Sequence, residues 1–268
     1  MLLRIAHSTV YQYDPPAAGA IQLLRLTPRN HDGQYVVRWR IEVAPDARLS
    51  AREDAFGNIA HVFSAAGPFS QLSVAVEGEV ETHGTDGVVR GTVERFPPGL
   101  FLRQTALTQA DAALADLAQD IRRDSGGASL CGLHLLLQTV HRQMVYDPTL
   151  TSTTMTAAES FAIKRGVCRD LTHVFIAAAR CLGIPARYIA GYLQLAAGTL
   201  EQQAGHAWAE AFVPDLGWIG FDAANGLCPT DGYVRVAVGL DALGAAPVRG
   251  TRYGAGGESL KVAIAVEQ

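Results

Sequence analysis

The sequence predicts an α+β protein. An all-β N-terminal domain over residues 1–104 precedes a core over residues 105–268, in which one helix packs on an antiparallel sheet. Three observations predict this. Short segments of alternating polarity fill the first hundred residues. Helical spacing begins only after Phe96-Pro97-Pro98-Gly99, a Pro- and Gly-rich boundary. A four-turn amphipathic helix starting at Cys168 is then followed by aromatic-rich alternating runs.

Taken in order, Leu3–Tyr13 alternates and stops at Asp14-Pro15-Pro16, and Gln22–Pro28 and Tyr35–Val43 follow as strands. Phe56-Gly57-Asn58 is a turn before Ile59–Phe63, and Gln71–Glu81 alternates strongly. Strands bounded by turns at this spacing suggest an antiparallel sandwich or a curled sheet. His7, His61 and His83 stand on different strands and turns, a spacing that suits hydrogen-bonded or solvated histidines better than metal ligands.

Beyond the boundary, Thr108 is placed to cap a helix over about residues 109–123, ended by Ser125-Gly126-Gly127. A second helix is expected over about residues 130–144. His134 and His141 are seven apart on it and share a face, without a third ligand. Thr156 and Glu159 have capping-box spacing before a short helix. Tyr146 lies at the start of the Thr-rich loop before that helix and is a candidate to line a cleft.

The helix from Cys168 carries Leu171, Val174, Phe175, Ala178, Ala179 and Leu182 on one face. Gly183 is its left-handed C-cap and Pro185 forbids continuation. Cys168 is thus the first helical residue. There a sulfur meets unpaired N–H groups and the positive end of the helix dipole, which stabilise negative charge, and the thiolate is the nucleophile. Asp170, in the same first turn, suits a capping role. His173 lies about 140° around the helix from Cys168 and is a poor base for it.

Ile184–Leu195 reads as the next strand, and Ala196–Glu201 as a surface loop. Gly205–Val213 and Gly217–Asp222 read as a hairpin around Pro214-Asp215-Leu216-Gly217. Side chains alternate along a strand, so His206 and Asp222 share a face only if paired residue numbers have an even sum. Phe212 opposite Trp218 satisfies this. It requires a three- or five-residue loop and makes the two residues diagonal neighbours. Trp208 and Glu210 share the His206 face. Glu210 is a rival acid, but about 13 Å of strand separates it from His206. Trp208 is placed as a wall beside the His–Asp pair and as a candidate substrate contact. Tyr233–Val238 and Ser259–Val266 are strand-like, and are expected to complete the core sheet or return to the N-terminal region. Leu260–Val266 is nearly all apolar, which predicts a buried strand.

A thiol at a helix start, a histidine and a carboxylate on the neighbouring strand form the arrangement for acyl transfer through Cys168, His206 and Asp222. The segments Gly166–Asp170, Ala204–Glu210 and Gly217–Gly226 resemble the three motifs of the transglutaminase-like superfamily. The likeness extends through Leu182–Tyr188 and Gly191-Tyr192. The chain is similar to the bacterial cysteine-protease branch that carries a β-rich N-terminal region. The resemblance implies a papain/transglutaminase-like core with Cys168 as nucleophile, His206 as base and Asp222 as orienting acid. Arg169 departs from a glutamine-like expectation, and Ala223-Ala224 from Pro-Thr.

Composition bounds the remaining possibilities. The 268 residues are 49% hydrophobic and 18% charged with net charge −4, which excludes a disordered chain and gives no sign of nucleic-acid binding. The N-terminal apolar run is too short for a signal peptide, and no stretch approaches the ~20 residues of a membrane span. Cys131, Cys168, Cys181 and Cys228 form no Cys-x-x-Cys pair, so zinc or a disulfide framework is not expected and a cytoplasmic setting is. No cofactor is implied. The expected activity is hydrolysis of a peptide or isopeptide-like amide through an acyl-enzyme. Transamidation of protein glutamine by the same residues, and a non-catalytic scaffold for a partner, are the alternatives.

Overall fold

The computed structural model describes residues 1–127, 129–150, 152–195 and 205–268. The loop expected over Ala196–Glu201 lies outside the described residues.

Two long antiparallel strands, β1 (Leu2–Thr27) and β4 (Ile59–Thr82), organise the first sheet. The sequence predicted a break at Asp14-Pro15-Pro16. Instead β1 runs through it, and the register shifts between Gln12 and Ala17. Proline lacks the N–H a ladder needs, and a bulge absorbs the gap without ending the strand. β2 (Gln34–Ala44) and β3 (Ser50–Glu53) add to β4. The last strands, β12 (Val248–Tyr253) and β13 (Gly257–Glu267), return to β1. Of the runs expected to be buried, β13 is not. Only Ile264 is fully buried and Leu260 is 55% exposed, because this edge strand turns one face to solvent.

The second sheet has the order β11-β8-β9-β10-β5. Its strands are β5 (Val88–Val89), β8 (Ala186–Leu193), β9 (His206–Val213), β10 (Gly217–Phe221) and β11 (Tyr233–Gly239). Two short strands, β6 (Val145–Tyr146) and β7 (Arg165–Gly166), pair in parallel. The helices are α1 (Ala112–Asp124), α2 (Ser129–Gln143), α3 (Ala157–Ile163) and α4 (Cys168–Cys181). Asp111, not Thr108, caps α1 by accepting from Leu114 N at 2.9 Å. Thr108 sits one turn earlier, in a short 3-10 segment, and its hydroxyl is engaged by Arg180 Nη1 at 2.6 Å. The capping box of α3 forms as its spacing predicts, with Glu159 N donating to Thr156 Oγ1 at 3.2 Å and Thr156 N to Glu159 Oε2 at 2.9 Å.

Helix α4 is the centre of the core. Its residues from Asp170 to Arg180 are all buried. Ala177, Ala178 and Ala179 share a core cluster with Ala207, Ala209 and Ala211, which form one face of β9. Small side chains on both elements let helix and strand approach closely. The helix ends in a Schellman motif: Ile184 N donates to Ala179 O and Gly183 N to Arg180 O, each at 3.0 Å, with Gly183 at φ 79°.

The two sheets are joined by buried polar contacts. β11 is an edge strand, and two side-chain amides pair with its backbone as another strand would. Gln34 bonds Arg235 N and O at 2.8 and 2.9 Å, and Asn58 bonds Val238 N and O at 2.8 Å each. His7 on β1 bonds the Tyr192 hydroxyl on β8 at 2.9 Å.

Candidate active site

The site forms where the start of α4 meets the start of β9. Gly166 precedes the helix, and a Cβ there would come within 2.6 Å of Asp170 Cβ and 2.9 Å of Ser160 Oγ, so only glycine admits this approach. Asp170 Oδ2 accepts from Val167 N at 3.0 Å and its other oxygen from Arg169 Nε at 3.0 Å. This is the capping role expected of it. Cys168 is the first residue of α4, half-buried, with its Sγ 4.0 Å from Gly205 O. Thr172 Oγ1 donates to Cys168 O at 2.7 Å and lies 3.3 Å from Ala207 O, tying the first turn of the helix to the strand that carries His206.

The hairpin has the register the site requires. Phe212 pairs with Trp218 and Val213 with Gly217, across the three-residue loop Pro214–Leu216. His206 and Asp222 therefore share a face, and His206 Nε2 donates to Asp222 Oδ2 at 2.6 Å. Burial opposes charge on the imidazole. The hydrogen bonds to Asp222 and to Cys168 outweigh it and hold the His206 pKa up to about 10. With Nε2 on Asp222, the other ring nitrogen is left to the sulfur.

Asp222 is fully buried and crowded with donors. Besides His206, Oδ2 accepts from Asn225 Nδ2 and the Tyr233 hydroxyl, each at 2.7 Å. Oδ1 accepts from Ala224 N at 2.9 Å and Asn225 N at 3.2 Å. Burial alone would raise the Asp222 pKa, but these donors and His206 bring it below the ordinary value. Tyr233 and Asn225 were not singled out from the sequence. The Asn225-Gly226 turn after Asp222 was visible, but Tyr233 comes from β11, two strands away from β9. From α2, His141 Nδ1 donates to Ala223 O at 3.2 Å and Gln138 Nε2 to Gly226 O at 2.7 Å. These two bonds fix the turn that presents the carboxylate.

Trp208 is 2% exposed. Its ring stacks against His206 at 6.3 Å between centroids and meets Tyr233 edge-on at 5.4 Å. It backs the histidine and presents almost no surface to solvent. Tyr146 is 53% exposed and pairs across the short parallel ladder with Gly166, two residues before Cys168. Its hydroxyl pKa is raised by burial and then by charge on Cys168, so the two are within electrostatic reach. Arg169 is tied to Asp170 and to the Ser152 carbonyl.

The other candidates fall away from this cluster. Glu210 shares the His206 face but is held by Arg187 and Arg235, each at 2.7 Å. Burial would raise its pKa, and the two guanidiniums instead bring it down to about 2. His173 is fully buried, its Nε2 accepts from Ala242 N at 3.1 Å, and burial pushes its pKa down to about 3. His134 and His141 are both exposed, and His134 packs on Phe221.

A helix presenting a thiol at its first residue to a His–Asp pair on an antiparallel sheet defines a papain/transglutaminase-like core. The family profiles agree. The bacterial transglutaminase-like N-terminal region matches residues 3–81, and the transglutaminase-like superfamily matches residues 115–223. The chain belongs to the transglutaminase-like superfamily. An uncharacterized protein of Mycobacterium leprae is 28% identical, with 98% of each chain covered. One of Mycobacterium tuberculosis is 25% identical over 93% of this chain and 87% of its own. A crystal structure described as a putative cysteine protease from Cytophaga hutchinsonii superposes with a TM-score of 0.77 at 22% identity, covering 100% of this chain and 90% of that one. This last likeness shows the fold. Among the described residues no helix is long and apolar enough to cross a membrane.

Proposed function

We propose that this protein is a cysteine-dependent acyl-transfer enzyme acting on amide bonds, with Cys168, His206 and Asp222 as its triad. The observation that carries the reading is the 2.6 Å bond from His206 Nε2 to Asp222, made by an imidazole whose other nitrogen is left to the thiol of Cys168. Such an imidazole stays protonated beside sulfur, which is the imidazolium–thiolate state of a cysteine nucleophile.

In this reading the Cys168 thiolate attacks the amide carbonyl carbon, and the oxygen becomes an oxyanion. The Cys168 backbone N–H, which as the first in its helix has no partner within the helix, is the donor proposed for that charge. His206 gives its proton to the leaving nitrogen, the C–N bond breaks and a thioester remains. Water, deprotonated by His206, then attacks the thioester carbonyl and releases the acid. Trp208 and Tyr233 shield the His–Asp pair from solvent, and exposed Tyr146, within electrostatic reach of Cys168, is the side chain proposed to contact the acyl chain. The substrate class is a peptide or isopeptide-like amide. Four free thiols support a cytoplasmic setting.

The test is alkylation of Cys168 by iodoacetamide across pH, read by mass spectrometry in wild type and His206→Ala. The expected result is that Cys168 reacts far faster than Cys131, Cys181 and Cys228 in wild type, and loses that advantage in the variant. Equal reactivity of all four thiols would overturn the proposal. A peptide-amide panel, with and without an added primary amine, then reads hydrolysis against capture by the amine.

A further inference from the structure

Away from the Cys168 site, the joint between the two sheets holds a small cavity of about 20 Å³, partly open to solvent. Its lining includes His31 on the loop between β1 and β2, Arg187 on β8 and Arg235 on β11. Two of these side chains carry hydrogen-bond donors with no acceptor among the described residues.

The first is Arg187. Its side chain is 2% exposed, its Nε donates to Glu210 and its Nη1 to Glu94, each at 2.7 Å, and its Nη2 is buried without a partner. The second is His31. Gly33 N–H donates to its Nδ1 at 3.2 Å, so Nδ1 carries the lone pair and the proton of the neutral ring is on Nε2. That Nε2 is also buried without a partner. Burial, aided by the charge of Arg235, pushes His31 down to about 4, so the ring is neutral at physiological pH. A buried N–H left unpaired is costly, and two that line one cavity call for a shared acceptor.

Arg29, Arg95, Arg187 and Arg235 all line the cavity. Their carboxylate partners are Glu53, which holds Arg29 and Arg95, Glu210, which holds Arg187 and Arg235, and Glu94, which also holds Arg187. With Asp32, whose charge also acts on His31, four carboxylates balance the four guanidiniums.

We propose that this cavity binds a small oxyanion, a carboxylate or inorganic phosphate, through Arg187 Nη2 and His31 Nε2. Two oxygens of one anion satisfy both donors, whereas a cation would meet only donors. The anion would bridge the first sheet to the core sheet and so tighten the joint between them. This is independent of the chemistry at Cys168.

The experiment is calorimetric titration of the full chain at about pH 7.5 with sodium phosphate and, separately, sodium formate, against sodium chloride at equal ionic strength, with thermal unfolding alongside. The expected result is saturable binding of one anion per chain. At about a hundredfold excess over Kd, Tm rises by roughly 5 °C, and chloride does not reproduce the rise. Whichever anion binds more tightly identifies the source. His31→Phe removes one donor, and Arg187→Lys keeps the charge beside Glu210 while removing Nη2. Each should weaken binding by at least about tenfold, the loss of one charge-assisted hydrogen bond. The proposal is overturned if neither anion binds saturably to wild type, which would leave water as the acceptor, or if folded variants bind as tightly as wild type.

Discussion

Replacing Asp222 with asparagine keeps the shape of the side chain and removes its charge. In the wild-type site the His206 imidazole is held up to about 10 from an ordinary 6.5, against the opposing effect of burial. A rise of that size corresponds to about 5 kcal/mol in favour of the imidazolium. It comes from two partners, Asp222 and Cys168. If Asp222 supplies half, its removal withdraws about 2.4 kcal/mol and shifts the balance between the imidazolium–thiolate pair and the neutral pair about 50-fold toward neutral. Alkylation of Cys168 near pH 7 is then expected to slow by at least about tenfold, since the thiolate is the reacting species. Cys131, Cys181 and Cys228 serve as internal standards in the same digest, and a retained thermal transition shows that the fold accommodates the substitution. Should Cys168 in the Asp222→Asn protein react within about twofold of wild type between roughly pH 5 and pH 9, the coupling between carboxylate and thiol would be refuted.

Other perturbations have equally definite outcomes. Tyr233→Phe removes a 2.7 Å donor to Asp222 and is expected to cost about tenfold in Cys168 alkylation; a change confined to Tm would show the hydroxyl to be structural only. Asn58→Ala strands the N–H and C=O of Val238 and should lower unfolding stability by about 2–4 kcal/mol in urea titration, a shift below about 1 kcal/mol counting against amide pairing at β11. Burial depresses His7 and His31 to about 4 and His173 to about 3. The unfolded chain therefore binds more protons than the native state below the ordinary value of 6.5, and stability falls as pH drops from there toward 4. With three such groups the slope reaches about 4 kcal/mol per pH unit, so Tm measured at about pH 5 should lie well below that at about pH 7.5. Glu210 is depressed to about 2 and contributes stability that is complete above its ordinary 4.5 and lost as pH falls toward 2. Glu210→Gln at neutral pH leaves two buried guanidiniums short of a partner and should cost about 3–5 kcal/mol by chemical denaturation.

The parts of the structure legible in the sequence are those fixed by short-range rules. The start of α4 at Cys168, its end at Gly183 and the Thr156–Glu159 box each depend on a handful of consecutive residues whose backbone groups must be satisfied locally. The parity of the β9–β10 hairpin, which decides whether His206 can meet Asp222, was a requirement set from the sequence, and the three-residue loop meets it. What could not be read was the destination of long-range partners. Nothing local distinguishes Asp111 from Thr108 as the cap of α1, since either could accept the free N–H groups. Leu260–Val266 looked buried because it is apolar, but burial depends on what covers a strand, and β13 lies at an edge. The Pro15-Pro16 pair, a stop signal by itself, is overridden because β4 holds β1 on both sides of it.

The carboxylates show the same division most clearly. Asp222 and Glu210 share a hairpin face with His206, and the sequence separated them only by distance along the strand. The structure separates them by the charges around them. Glu210 lies opposite Arg187 on the neighbouring strand and is claimed by two guanidiniums, so its charge is spent on the joint between the sheets. Asp222 receives neutral donors, from Tyr233, Asn225 and two backbone amides, and His206 is its only ionisable nitrogen partner among the described residues. Neutral donors lower a carboxylate's pKa without cancelling its charge, so the field of Asp222 acts on the imidazole at full strength. A guanidinium in place of Tyr233 would hold Asp222 ionised equally well and take that field away. The neutrality of the groups around Asp222 is therefore as necessary to a charged His206 as Asp222 itself.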